Sequence, residues 1–458
     1  MIRPREAQCT VVPGTIGIEG SEPNPKAGVT IECTRATIDT AMDATDADVR
    51  PVRGGPVRGG PDTLGAARLK VAIIHDWLDT WAGSERVLAE LLGIFPQSDL
   101  YAIVEFMPSD DRKRIPRSRI ETSFIQRLPF ARQHFRKLLA LMPFAVEQFD
   151  LRGYDLVISS CHAASKSAIT GPDQLHVCMC YTPPRYAWDM QPEYLEKSGL
   201  GRGLKGWMVR RMLHRFRLVD LAASARVDRF VAISHYVARR IAKCYRRDSD
   251  VIYPPVDIAA EWTPIERGND FVTVSRIVPY KRVDLLVETF ARLPERTLHV
   301  VGDGPDFDAL RSIATPNVVF HGRLDDDARD RLVASSAAFL FAAEEDFGIS
   351  PLEAQALGTP VIAFGRGGSS ETIRGLESGA PTGVFFDSQT PDAVVAAIHA
   401  FDAARSRITP QACRDNALRF GTPRFRREFA DYIDRAWATF SSARAAGTSP
   451  RPEPRTAP

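Results

Sequence analysis

Short apolar runs, each followed by a polar loop and then a stretch of helical period, recur along most of the chain. The runs at 69–74, 154–159, 175–179, 230–233, 271–274, 298–301, 318–320 and 337–341 are too short for helices. They are largely apolar on both faces, as strands buried in parallel sheets are. Strand–helix alternation of this kind predicts an α/β fold and places ligand-binding loops at the carboxyl ends of the strands. The series is interrupted once. Val251-Ile252-Tyr253-Pro254-Pro255-Val256-Asp257 is a Pro-stiffened exit, so a linker is expected near 257–270 and a new domain from Phe271.

Size supports two units. A chain of 458 residues, 44% apolar, is too large for one compact core. The first 67 residues contain a duplicated Pro/Arg/Gly pattern, lack helical or strand period, and have no continuous apolar core of the kind a secretory signal carries. They are expected to be disordered, as is the Pro- and Arg-rich tail over 441–458. No run reaches the ~18–20 apolar residues a membrane span needs. The formal charge of +2 gives no support to nucleic-acid binding. Seven cysteines, an odd number without framework spacing, point to a reducing compartment.

The chemistry concentrates at strand ends. Glu345 follows the 337–341 run, and Glu353 stands eight positions on, in the first turn of a helix expected to end before Gly358. Two carboxylates at this spacing can accept sugar or ribose hydroxyls. Upstream, Arg276 and Lys281 lie between the 271–274 strand and the next helix, where two cations and free helix N–H groups suit a diphosphate. Gly302-Asp303-Gly304 is a weak glycine loop, because Pro305 removes a backbone donor. In the first half, Gly83 precedes a helix that Ser84 is expected to cap, and permits close backbone approach to a ligand. His162 follows the 154–159 strand at an end facing the crevice. Asp325-Asp326-Asp327 begins a helix and reads as a cap, not a metal site.

The order Ser275-Arg276, Lys281, Gly302-Asp303-Gly304, Gly322, Glu345-x7-Glu353, Gly367-Gly368, Glu371 resembles the retaining glycosyltransferases of family 4. The resemblance covers residues 68 to about 440 and implies the GT-B arrangement, two facing Rossmann-like domains. The implied limits are 68–262 for an acceptor domain, 263–423 for a nucleotide-sugar donor domain, and 424–440 for a helix crossing back to the first. Residues 157–166 and 180–189 resemble the mannosyltransferase-like branch acting on bacterial O-antigens and exopolysaccharides. Where that family's first loop usually reads Gly-Gly, this one reads Ala82-Gly83. The resemblance implies catalytic roles for Glu345, His162, Arg276 and Lys281. It implies donor contacts at Gly83, Arg276, Lys281, Arg323, Phe347, Gly348, Ile349 and Glu353.

Tyr181, Arg185 and Tyr186 are candidates for an acceptor site, since sugars stack on aromatic faces. Residues 111–140 carry nine Arg or Lys against two acids, interleaved with apolar positions, and a second basic cluster at 202–217 includes Trp207. Such interleaving suits an anionic membrane surface. The expected protein is a cytoplasmic enzyme, peripheral on the inner membrane face in the further version. It would move a hexose, mannose from GDP-mannose as first choice, to a lipid-linked or oligosaccharide acceptor. No cofactor or metal is expected, the nucleotide sugar being the substrate. A nucleotide-sugar epimerase or hydrolase of the same fold is the alternative, followed by a non-catalytic scaffold. Turnover of donor by water alone would mark the former, and loss of the charged site the latter.

Overall fold

The computed structural model describes residues 69–117, 119–197 and 199–447. The expected disordered segment 1–67 and the end of the chain past 447 lie outside the described residues. The apolar runs become the strands of two sheets. The first holds β1 (Val71–Leu78), β2 (Asp99–Glu105), β3 (Glu121–Thr122), β4 (Leu156–Cys161), β5 (Leu175–Cys180), β6 (Arg229–Ala232) and β7 (Asp250–Val251). They run all parallel, in the order β3-β2-β1-β4-β5-β6-β7. The second holds β8 (Phe271–Val274), β9 (Leu298–Val301), β10 (Val318–Gly322), β11 (Ala338–Phe341), β12 (Val361–Phe364) and β13 (Gly383–Phe386). It too is parallel throughout, in the order β10-β9-β8-β11-β12-β13.

In each sheet the order reverses beside the first strand, between β1 and β4 and between β8 and β11. These reversals open crevices at the carboxyl ends of the strands, because the connections leave to opposite sides. The helices that matter are α1 (Gly83–Ile94), α2 (Gly203–Ala225), α3 (His235–Tyr245), α4 (Val283–Phe290), α5 (Ile349–Ala356) and α6 (Thr422–Ala445). Val87, Leu88, Leu91 and Leu92 of α1 bury with Phe425, Phe429 and Ile433 of α6 in one apolar cluster. An Arg426–Glu90 ion pair lies alongside. The last helix therefore braces the first domain, completing the GT-B arrangement. It also continues past the expected end at 440, so residues 441–445, assigned to a disordered tail by composition, are helical.

Capping differs from expectation in one place. Ser84 does not cap α1; the Glu85 carboxylate instead accepts the Ala82 N–H at 3.1 Å and the Ser84 hydroxyl at 3.0 Å. Asp325 does cap the helix that follows it, accepting from the Ala328 N–H at 2.8 Å. Among the described residues no helix is long and apolar enough to cross a membrane.

Candidate active site

The first-domain wall is set by a buried polar cluster at the end of β1. Asp76 is fully buried, and its two oxygens accept the backbone N–H groups of His162, Ala163, Ala164 and Ser165 at 2.6–2.8 Å. Four amides aimed at one carboxylate fix the loop after β4. Burial alone would raise the Asp76 pKa, but His162 and the amides outweigh it and hold the carboxyl below its usual value. His162 Nδ1 lies 3.3 Å from Asp76, and its ring meets Trp77 edge-on, with centroids 4.3 Å apart. Burial pushes its pKa down, opposed by Asp76, so the imidazole is neutral at neutral pH. Neither ring nitrogen has a hydrogen-bond partner among the described residues. A buried orphan of this kind calls for an explanation beyond packing. Beside it, His75 bridges Ser160 (2.9 Å) and Glu85 (3.3 Å), and Ser160 meets the Tyr181 hydroxyl at 2.7 Å.

The second-domain wall is formed by loops after β8 and β11. Lys281 is buried and ion-pairs with Glu345. Glycines permit this convergence. Gly302, at φ +131°, stands where a Cβ would come within 1.9 Å of the Ser275 carbonyl. A Cβ on Gly367, at φ +76°, would lie 2.3 Å from the Glu345 carbonyl, and the Gly368 N–H donates to that oxygen at 2.7 Å. Gly302 therefore packs one loop on another, a use the weak glycine signal did not suggest.

Between the walls is a solvent-open cleft of about 670 Å³. Gly83, Tyr181 and Arg185 line it from one side, and Lys281, Glu345, Phe347, Gly348 and Ile349 from the other. His162 stands behind Tyr181, with ring centroids 6.3 Å apart. Arg276 is half-buried in the β8–α4 connection.

Four candidates sit otherwise than expected. Arg323 is exposed just past β10, the edge strand, and does not line the cleft. Tyr186 packs in the core near Tyr194 and Phe216, so it is an apolar plug and not an acceptor platform. Arg185 crosses the cleft to ion-pair with Asp346 at 2.7 Å and to donate to the Glu344 carbonyl at 2.9 Å. Glu353 is engaged by Arg86 of α1 at 2.9 Å.

Sequence reading missed the residues that join the walls. Asp346 also takes the Thr182 hydroxyl at 3.3 Å, and its carbonyl takes Ser234 at 2.6 Å. Glu371 accepts the N–H groups of His235 (2.8 Å) and Tyr236 (2.7 Å), capping α3 from the other domain. The Tyr236 hydroxyl donates to Glu344 at 3.0 Å, and Tyr253 to Glu371 at 3.1 Å. The available signals were weak: Asp346 adjoins Glu345, and Glu371 belongs to the Gly-Gly-x-x-Glu element already noted without a role.

Much of the first basic segment is spent internally. Arg117 donates to the carbonyls of Leu92, Phe95 and Ser98, and Arg136 pairs with Asp79. What stays exposed is both apolar and basic: Phe130 (74% exposed), Arg132 and Phe144 (53%) in the first segment, and Leu204, Trp207 (59%) and Met208 on α2 with Lys205, Arg210 and Arg211.

Residues 81–260 match the family Glycosyltransferase Family 4, and residues 257–419 match Glycosyl transferases group 1. The D-inositol 3-phosphate glycosyltransferase of Mycolicibacterium gilvum (strain PYR-GCK) is 31% identical over 224 residues, covering 42% of this chain and 48% of that protein. The GDP-mannose-dependent monoacylated alpha-(1-6)-phosphatidylinositol monomannoside mannosyltransferase of Corynebacterium glutamicum is 39% identical over 116 residues, covering 22% and 30%. The chain spans less than half the length of these two relatives. Among solved structures, Anabaena HepE in complex with UDP superposes at a TM-score of 0.57 and 16% identity, over 80% of this chain and 100% of that one. The apo form of the lipopolysaccharide outer core galactosyltransferase WaaB gives 0.51 at 19% identity, over 80% and 99%. These two likenesses are of fold.

Proposed function

We propose that this chain is a glycosyltransferase of the GT-B fold, a retaining hexosyltransferase using a nucleoside-diphosphate sugar bound in the cleft. The observation that carries this reading is the meeting of Lys281 and Glu345 at the carboxyl ends of β8 and β11, opposite Gly83 at the start of α1. Cleavage of the sugar–phosphate bond leaves negative charge on the diphosphate, and Lys281 with Arg276 supplies cations where that charge grows. Glu345 then holds sugar hydroxyls and faces the positive charge developing at the anomeric carbon. The neutral His162, with both nitrogens unmet, can hydrogen-bond a sugar hydroxyl once the Tyr181 side chain gives way. The two cations make a metal ion unnecessary for leaving-group stabilisation.

GDP-mannose is the proposed donor, supported by the mannosyltransferase-like segments and by the GDP-mannose dependence of the Corynebacterium glutamicum relative. The proposed acceptor is lipid-linked or an oligosaccharide of a bacterial surface polysaccharide. The exposure of Phe130, Phe144 and Trp207 in segments rich in Arg and Lys supports contact with an anionic membrane. The test is thermal stabilisation by GDP, UDP, ADP and dTDP in metal-free buffer. A ligand at 100 times its Kd adds about 2.7 kcal/mol, which a melting curve resolves. Selective stabilisation by GDP is expected. Selectivity for another diphosphate discards the mannose donor, and no shift with any of them discards the nucleotide-sugar site.

A further inference from the structure

We propose that Arg86 is a donor-positioning residue, contributed by the first domain to a ribose site shared with Glu353. The inference rests on the nucleotide-sugar reading of the cleft and deepens it by assigning a group from the facing domain.

Gly83, Arg86 and Val87 stand at i, i+3 and i+4 of α1 and so share one face of the helix. Gly83 and Val87 line the cleft, which puts Arg86 at its edge. The guanidinium reaches across the domain boundary: Nη1 donates to Glu353 Oε1 at 2.9 Å, with side chains 10% and 22% exposed. Nη2 is buried and has no hydrogen-bond acceptor among the described residues. A desolvated guanidinium normally has its N–H groups met, because each one left bare costs its hydration without return. Helix stability does not account for the residue either. A cation in the first turn opposes the positive end of the helix dipole.

Glu353 supplies the complementary vacancy in bonding. Among the described residues its carboxylate makes no hydrogen bond except that to Arg86, although it can accept several. Nη1 and Nη2 branch from one carbon, so the unmet donor of Arg86 and the unmet acceptor capacity of Glu353 lie side by side. A hydroxyl both donates and accepts, and it satisfies the two at once. A phosphate oxygen serves Nη2 but is repelled by Glu353. The geometry therefore selects a sugar hydroxyl, and on the nucleotide-sugar reading, in which Glu353 takes the ribose and Lys281 the diphosphate, that hydroxyl belongs to the ribose. Binding the ribose would in this way tie α1 of one domain to α5 of the other.

Calorimetric titration of the full chain with GDP and UDP, and with their 2′-deoxy and 3′-deoxy forms, tests this together with donor KM and kcat. Arg86→Ala and Glu353→Ala should each weaken the preferred nucleotide about tenfold, as loss of a charge-assisted bond does. The double variant should be no weaker than either alone, since the pair acts as a unit. Wild type should discriminate against one deoxy form, and Arg86→Ala should lose that discrimination, with donor KM raised and kcat little changed. Arg86→Lys keeps the charge without the fork and should also lose the discrimination, which keeps the test decisive if the alanine variant melts early. Additive losses, or an Arg86→Ala protein that binds and discriminates like wild type, would reduce Arg86 to an interdomain strut. A wild-type protein that binds neither nucleotide and transfers no sugar would instead overturn the underlying reading, and this inference with it.

Discussion

Lys281 and Glu345 are each other's counter-charge at the cleft wall, so a change to either alters more than one contact. Glu345→Gln removes the charge proposed to face the anomeric carbon while keeping the size of the side chain. Its kcat should fall about 100-fold or more, by analogy with loss of one preorganised group, with nucleotide binding largely kept. Steady-state kinetics beside calorimetry separates the two. His176 tests burial instead of catalysis. It is fully buried against Ser159 Oγ at 2.9 Å, and burial pushes its pKa down to about 4. The unfolded chain takes up that proton near the ordinary value of about 6.5, so the unfolded state binds more protons between these limits and stability falls as pH falls. The loss between pH 7 and pH 5 should be about 2 kcal/mol, and His176→Gln should flatten it in urea titrations at the two pH values. Single side chains were the least legible part of the sequence. Glu345, Lys281 and Gly83 could be placed because strand ends and helix starts fix where their backbone lies. The partners of Arg185 and Glu353 could not, because they come from the other domain, and nothing local marks Tyr186 as core and Tyr181 as cleft.

Loops owe their shape here to buried carboxylates. Asp76 holds four amides of the β4 exit. Asp76→Asn would turn an amide N–H₂ toward N–H groups that need an acceptor. The cost should be about 3 kcal/mol, from bonds to a charged acceptor lost and donors left buried, read as a lower urea midpoint at unchanged slope. The elements themselves were legible wherever a run was apolar on both faces, as in β1, β4, β5 and β11. The stretch from 124 to 147 was not. It folds as a chain of short helices of one to about two turns, Phe124–Arg127, Ala131–His134, Phe135–Leu141 and Met142–Glu147, too short to print a period on the sequence. Only its alternation of basic and apolar residues could be read, and one of those cations, Arg136, turned out to pair with Asp79. The exposed remainder predicts binding to vesicles. Trp207→Ser with Phe130→Ser should weaken sedimentation with anionic liposomes by about tenfold, with no loss against soluble acceptors.

At the scale of the molecule, the two domains are joined by Arg185 with Asp346, Arg86 with Glu353, and Glu371 with the start of α3. The α/β fold and the division into two domains followed from strand–helix alternation and one Pro-rich break, and the facing of the two sheets from the family resemblance; these joints did not, since they depend on how the domains meet. Asp346→Ala leaves the buried Arg185 without its carboxylate and should loosen the contact between the domains. Its radius of gyration in X-ray scattering should increase, and donor KM should rise with it. Chelators are expected to leave transfer unchanged, because the proposed leaving-group charges are met by side chains; loss of activity in EDTA would refute that. The Glu371 joint has a further consequence. Its carboxylate covers the first two amide protons of α3, so every parting of the domains bares both at the same moment. Deuterium uptake at His235 and Tyr236 would then count those partings directly in unlabelled protein, and a bound donor should slow the count.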